Sequence, residues 1–151
     1  MKTIVITGAN KGVGLALVKH FISDFKVVAL SRSYDNLINI KSDNLTFHRV
    51  DISDLSRMKD VFKSITNVNY LINCAAVFES QTLLNQSFDK VEEIIDVNLK
   101  GTLFTTKLTL DKMKKGRIVN ISSVSGLHGI ENQSVYSSTK HSLNGLQESL
   151  N

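Results

Sequence analysis

Thr7-Gly8-Ala9-Asn10-Lys11-Gly12-Val13-Gly14 joins two segments of different periodicity. Before it, Lys2–Thr7 is a β-branched apolar run of strand length. After it, Val13, Leu17, Val18, Phe21 and Ile22 recur at helical spacing. Glycines between a strand and a helix let the chain turn tightly and bring backbone N–H groups close to a pyrophosphate, where the helix N-terminus adds positive potential. The spacing is G-x-x-x-G-x-G, not the G-x-G-x-x-G of the commonest dinucleotide fingerprint. Such glycines also serve ordinary strand–helix connections, but at the end of a first strand they favour a nucleotide site. Gly8, Asn10, Lys11, Gly12, Val13 and Gly14 are therefore cofactor-binding candidates.

The alternation continues outward from this loop. Lys26–Leu30 reads as a second buried strand, Ser33–Ile40 as a short helix and Leu45–Val50 as a third strand. Ser53 or Asp54 caps a helix that runs to about Ile65. Val68–Ile72 is a fourth strand, Phe88–Lys112 a long helix, Arg117–Ile121 a fifth strand and Val135–Leu150 a final helix. Near-continuous apolar strands separated by helices predict an α/β fold with a doubly wound parallel sheet. With no repeat, low-complexity stretch or linker, residues 1–151 are expected to form a single domain.

Composition narrows the function. At 151 residues, 42% hydrophobic and 21% charged, the chain can build one core and does not have the composition of a disordered segment. No apolar run approaches the roughly 18 residues of a membrane span. The apolar start breaks at Asn10-Lys11-Gly12 without a cleavage site, so no signal peptide is read. A net charge of +4, with no basic run and no interleaved aromatics, gives little reason to expect nucleic-acid or membrane partners and suits a small anionic ligand. The single cysteine excludes an internal disulfide, and His20, His48, His128 and His141 stand apart. No metal site is therefore expected, and a reducing, cytoplasmic compartment is. Two oddities remain: there is no proline, and the chain stops at Asn151 in a helix with no C-terminal signal.

About twenty residues beyond such a glycine loop, a free ribose 2′-hydroxyl usually meets an Asp or Glu at the end of the second strand. Here that place reads Ser31-Arg32. Serine leaves no carboxylate to repel a 2′-phosphate, Arg32 can pair with one, and Lys11 can reach the same group. Alone, either cation would be an ordinary surface residue; together they favour NADP(H) over NAD(H). Asp51 and Asn73 end the third and fourth strands, at the sheet edge where open α/β folds bind ligands. In isolation each would equally serve a turn or a cap. Cys74 is read as a small apolar filler, because no His or basic neighbour in sequence would activate it.

The strongest constellation comes late, in Ile121-Ser122-Ser123 and then Tyr136-Ser137-Ser138-Thr139-Lys140. Tyr136 and Lys140 are four apart and share a face of a helix. A free tyrosine, with a pKa of about 10, is a poor acid–base catalyst near pH 7, and a neighbouring ammonium stabilises a phenolate. Tyr-x-x-x-Lys alone is common on helices. Thirteen residues from Ser123 to Tyr136, following a glycine-loop start, are far less readily accidental.

From Lys2 to its last residue the chain resembles the short-chain dehydrogenase/reductase family. Thr7-Gly8 through Gly12-x-Gly14 matches the family's cofactor loop and Asp51 its adenine-pocket acid. Asn73-Cys74-Ala75-Ala76 stands where the family has Asn-Asn-Ala-Gly, and Asn98 matches its helix asparagine. Ser123, Tyr136 and Lys140 match its catalytic serine, tyrosine and lysine; the spacing favours Ser123 over Ser122. With Ile52 and Ala75 beside them, Asp51 and Asn73 join Arg32, Tyr136 and Lys140 among the cofactor-binding candidates. Cys74 and Ala76 depart from the pattern without touching the implied chemistry.

The resemblance implies strand order 3-2-1-4-5 and hydride transfer between NADP(H) and a small alcohol or carbonyl substrate. Tyr136 would exchange the proton at the substrate oxygen, with Lys140 beside it and on the nicotinamide ribose. Ser123 would hold the substrate oxygen, and Asn98 would help hold a relay water. It also implies a homo-oligomer through the long helices. Family members are roughly a hundred residues longer. The domain is thus expected to be C-terminally incomplete, truncated before the family's sixth and seventh strands. A nucleotide-binding module or an inactive fragment without turnover are the alternatives.

Overall fold

The computed structural model describes residues 1–150. Five strands, β1 (Thr3–Thr7), β2 (Lys26–Ser31), β3 (Leu45–Arg49), β4 (Tyr70–Asn73) and β5 (Arg117–Asn120), form one parallel sheet in the order β3-β2-β1-β4-β5. The order and the doubly wound architecture are those expected from the sequence. Side chains alternate across the pleat, so register sorts the apolar residues between two cores. Val5 lies beside Val28 and Leu71, and these face Met58, Phe62 and Val97. Ile6 lies beside Ala29 and Ile72, and these face the other way, with Val18 and Leu37.

Helix α1 (Gly12–Phe21) covers the second of these faces and α2 (Leu55–Lys63) the first. Of the two proposed caps, Asp54 is the one used: its carboxylate accepts the Arg57 N–H at 3.0 Å. Ser53 instead turns back and donates to Asp51 at 2.7 Å. After β3 the chain crosses to the far side of β1, so winding reverses between β1 and β4. The loops leaving those two strands bound a crevice at the carboxyl edge, which is where such folds bind ligands.

Two expected elements take other forms. Ser33–Ile40 is a series of turns, because one backbone N–H is drawn out to Asn10 and the others close only short loops onto the Tyr34 and Leu37 carbonyls. The Asn36 N–H donates to the Asn10 side chain at 3.0 Å, and the Asn36 amide returns a bond to the Asn10 carbonyl at 2.9 Å. The single long helix over Phe88–Lys112 is three pieces: α3 (Phe88–Ile95), a π-helical turn (Asp96–Gly101) and α4 (Thr102–Leu110). The Asn98 and Gly101 carbonyls accept from the Thr102 and Thr105 hydroxyls at 2.9 and 2.8 Å. A β-carbon on Gly101 would stand 2.6 Å from the Ile52 side chain, so the turn sits tightly against the loop after β3. A short 3₁₀ turn (Val124–Gly126) and α5 (Ser134–Ser149) follow β5.

Glycine substitutions separate tight from open backbone. A β-carbon on Gly116 would lie 2.0 Å from the Asn69 carbonyl oxygen, whereas one on Gly145, exposed in α5, would meet nothing within 4 Å. Urea unfolding should show Gly116→Ala destabilised by about 1–3 kcal/mol. Gly145→Ala should be stabilised by about 0.5–1 kcal/mol through helix propensity.

Candidate cofactor and catalytic site

The glycine loop is built for close backbone approach. Gly8 has φ +65°, and a β-carbon there would stand 2.7 Å from the Ala75 α-carbon. A β-carbon on Gly14 would stand 2.3 Å from the Gly8 carbonyl oxygen. The buried Thr7 hydroxyl locks β1 to the end of β4, accepting the Cys74 and Ala75 N–H groups at 3.0 Å each. α2 and α3 begin with side-chain caps from Asp54 and Ser87, whereas Lys11 at the start of α1 makes none. The Gly12 and Val13 N–H groups of the first turn of α1 are thus left for a ligand, and no acidic residue opposes an anion there.

Two clefts flank this loop and share Gly8, Lys11, Ala75 and Ala76. The first, about 150 Å³, runs between the ends of β2 and β3 and is bordered by Arg32, Asp51 and Ile52. Asn10 borders it too, but its side chain is spent on structure, giving a bond to Ser33 at 2.8 Å besides those with Asn36. One oxygen of Asp51 accepts from the Ser53 backbone and hydroxyl at 2.9 and 2.7 Å. The other lies 4.0 Å from Arg32. Arg32 itself donates to Glu93 of α3 at 3.0 Å, a partner that no local pattern in the sequence announces.

The second cleft, about 330 Å³, is bordered by Gly12, Val13, Cys74, Ser122, Tyr136 and Lys140. Lys140 is only 4% exposed; its ammonium donates to the Ile121 carbonyl at 2.8 Å and lies 5.6 Å from the centre of the Tyr136 ring. Burial holds its pKa below the usual lysine range. Burial likewise pushes the Cys74 thiol up, against the opposing pull of Lys140 and the Gly14 N–H. Phe78 meets Tyr136 edge to face at 4.9 Å and is more than half exposed, so an apolar wall stands beside the phenol. In the segments before α3 and α5, the Gln81 N–H donates to the carbonyl of Asn132, a non-glycine residue at φ 60°, at 2.7 Å.

Three of the nominated residues sit differently from the others. Asn73 borders neither cleft: its amide donates to Thr106 and Asn120 at 3.1 and 2.9 Å, tying β4 to α4 and β5. Asn98 gives both amide protons to the Val77 carbonyl and the Thr139 hydroxyl, at 2.9 and 3.2 Å, and accepts the Val77 N–H at 2.7 Å. Its side chain has no donor left for a relay water; it fixes the loop leading to Phe78 and the helix carrying Tyr136. Ser123 is engaged as the cap of the 3₁₀ turn, accepting the Ser125 N–H at 3.2 Å, which leaves its own proton free to donate. Ser122 borders the cleft, with its hydroxyl 3.5 Å from the Lys140 carbonyl.

The sequence reading placed Thr7 in the matched loop without giving it a role of its own, and omitted Phe78 and Glu93. Thr7 left a trace, a polar residue at the buried end of an apolar strand. Phe78 and Glu93 act across the fold and left none. Among the described residues there is no group of three His, Cys, Asp or Glu placed to hold a metal, and no helix long and apolar enough to cross a membrane.

Glycine cradle, open first turn and Tyr-x-x-x-Lys pair stand together around the carboxyl edge of one doubly wound sheet. The chain belongs to the short-chain dehydrogenase family, whose family model it matches over residues 2–151. It is 33% identical to carbonyl reductase family member 4 of Xenopus tropicalis, over 99% of this chain and 67% of that protein. It is similar to 4-hydroxyisoleucine dehydrogenase complexed with NADH, with a TM-score of 0.90, 31% identity, and coverage of 99% of this chain and 68% of that one. The closed form of serine dehydrogenase complexed with NADP+ gives a TM-score of 0.93 at 27% identity, covering 98% of this chain and 64% of that one. The chain spans 53% of a dehydrogenase/reductase SDR family protein 7-like relative from Anopheles gambiae and 70% of an uncharacterized oxidoreductase of Staphylococcus aureus.

Lys140 gives the site a pH signature. Its folded-state pKa lies below the ordinary 10.5, so between those two values the unfolded chain binds more protons than the folded one. Stability contributed at this position therefore rises with pH through that window. Chemical denaturation at a series of alkaline pH values should show the parent gaining stability relative to Lys140→Met as pH approaches 10.5. A pH-independent difference would contradict the buried ammonium.

Proposed function

We propose that the chain supplies the cofactor-binding and catalytic part of an NADP(H)-dependent oxidoreductase that interconverts an alcohol and a carbonyl compound. The observation that carries this reading is the meeting of Tyr136 and Lys140 with the glycine loop around one cleft. The residues present fit the cofactor. The cradle at Gly8 and Gly14 admits no β-carbon, and the uncapped first turn of α1 offers N–H groups to a pyrophosphate. Asp51 keeps one oxygen clear of Ser53 for an adenine amino group. Ser31, Arg32 and Lys11 border the adenosine cleft and support the 2′-phosphate of NADP(H) over the hydroxyl of NAD(H).

Hydride transfer is the chemistry the nicotinamide supplies when bound. Tyr136 exchanges the proton at the substrate oxygen, and its ring borders the cleft with Phe78 against it. Lys140 places positive charge beside the phenol and holds the nicotinamide ribose. Ser123 donates its free proton to the substrate oxygen. Asn98, Thr139 and Val77 keep these groups in position. The half-buried lone cysteine supports a reducing, cytoplasmic setting. Leu103 and Leu110 on the outer face of α4, with Ile95 on α3, support a homo-oligomer through these helices, which light scattering tests.

NADPH oxidation with small ketones and aldehydes, run beside NADPH-fluorescence binding, tests the reading. Tyr136→Phe should abolish turnover with cofactor affinity nearly unchanged, while Lys140→Ala should lower both. Ser123→Ala should cost at least tenfold in turnover, on the order of 1.4 kcal/mol or more of transition-state stabilisation, and Ser122→Ala far less. Arg32→Ala should weaken NADPH by about tenfold, the size of a charge-assisted contact, and NADH far less. Cofactor binding without turnover of any carbonyl would select a nucleotide-binding module instead.

A further inference from the structure

Arg32 is the cation expected to meet a 2′-phosphate, yet it already has an anionic partner. Its guanidinium donates to one oxygen of Glu93 at 3.0 Å and lies 4.0 Å from Asp51. Glu93 belongs to α3 and reaches over the rim of the adenosine cleft from outside. Its second oxygen accepts from Lys90, one turn earlier on the same helix, at 2.5 Å. The two cations, Lys90 first and Arg32 second, hold its carboxyl below the ordinary glutamate range, so the negative charge beside Arg32 is maintained.

We propose that Glu93 sets cofactor discrimination by competing with the ribose 2′-phosphate for Arg32, an inference that rests on the NADP(H) reading above. A phosphate arriving at Arg32 must take the guanidinium from Glu93 or share it with two nearby carboxylates. The exchange is feasible because the Arg32 side chain is 57% exposed and free to swing. It strands no charge, because Glu93 keeps Lys90. A 2′-hydroxyl needs no exchange, so NAD(H) is indifferent to the pair. Glu93 thus lowers the advantage that Arg32 would otherwise give to NADP(H), without touching the reacting atoms.

Calorimetric titration with adenosine 2′,5′-bisphosphate and with 5′-AMP isolates the adenosine end, and NADPH and NADH fluorescence titrations extend it to the whole cofactor. The variants are Glu93→Gln, Arg32→Ala and the double substitution. Glu93→Gln should tighten the bisphosphate and NADPH by about threefold to fivefold, the range of an exposed ion pair, with 5′-AMP and NADH unchanged. The gain should vanish in the Arg32→Ala background. Weaker or unchanged bisphosphate binding in Glu93→Gln, equal tightening of all four ligands, or a gain that survives Arg32→Ala would each overturn the role of Glu93. A parent that prefers NADH while Glu93→Gln still raises the NADPH to NADH affinity ratio would refute the NADP(H) preference and uphold Glu93. Failure of every variant to bind any of the four would overturn both.

Discussion

No methyl group fits between Gly8 and Ala75, or between Gly14 and the Gly8 carbonyl, and the rest of the site depends on that closeness. It lets the backbone leaving β1 pass against the backbone leaving β4, at the place where the winding of the sheet reverses. The Thr7 hydroxyl makes the approach specific, because one oxygen accepts two consecutive N–H groups from the far strand. Such buried donors would be costly if left unmet. Both clefts share residues of this contact, so a shift there would move the two together.

Lys140 shows the opposite economy. A buried ammonium facing one carbonyl is poor design for stability alone, since desolvation disfavours the charged form. The aromatic ring of Tyr136 and the polar end of β5 offset part of this. An ion with unmet hydrogen-bonding capacity in a cleft is instead what a ligand's hydroxyls can satisfy. The same logic fits the first turn of α1, where a side-chain cap would stabilise the helix and occupy the site.

How much of this was legible in the sequence follows from the distance over which each feature is determined. Strands β1, β2 and β4 are buried on both faces, so their apolar runs stood out, while the order of the sheet came from the family resemblance and is the one observed. Gly8 and Gly14 were legible because only glycine tolerates what surrounds them. The segment Ser33–Ile40 was misread because the side chain of Asn10, twenty-six residues earlier, holds the Asn36 N–H and leaves only short turns around it. The π-helical turn was invisible for another reason. Ile94, Val97, Asn98, Gly101 and Thr102 are buried at ordinary helical intervals, so the pattern reads as one unbroken helix. Glu93 was unreadable because its partner Arg32 is sixty-one residues away.

That turn also explains how one helix serves both clefts. Val97 borders the adenosine cleft, while Gly101 rests on Ile52, which borders it too. Between them Asn98 reaches the other way, gripping Val77 before Phe78 and Thr139 before Lys140. Along the turn the Asn98 and Gly101 carbonyls accept the hydroxyls of threonines four residues on. π-turns are uncommon and concentrate at functional sites, where the irregularity re-aims side chains. Here the side chain is an asparagine whose two amide protons and oxygen are bonded to two separate segments, and that makes it a bracket between them. With both protons committed, it holds those neighbours in place. The placement of Tyr136 against the glycine loop is thus set as much by a helix outside the Tyr-x-x-x-Lys segment as by that segment itself.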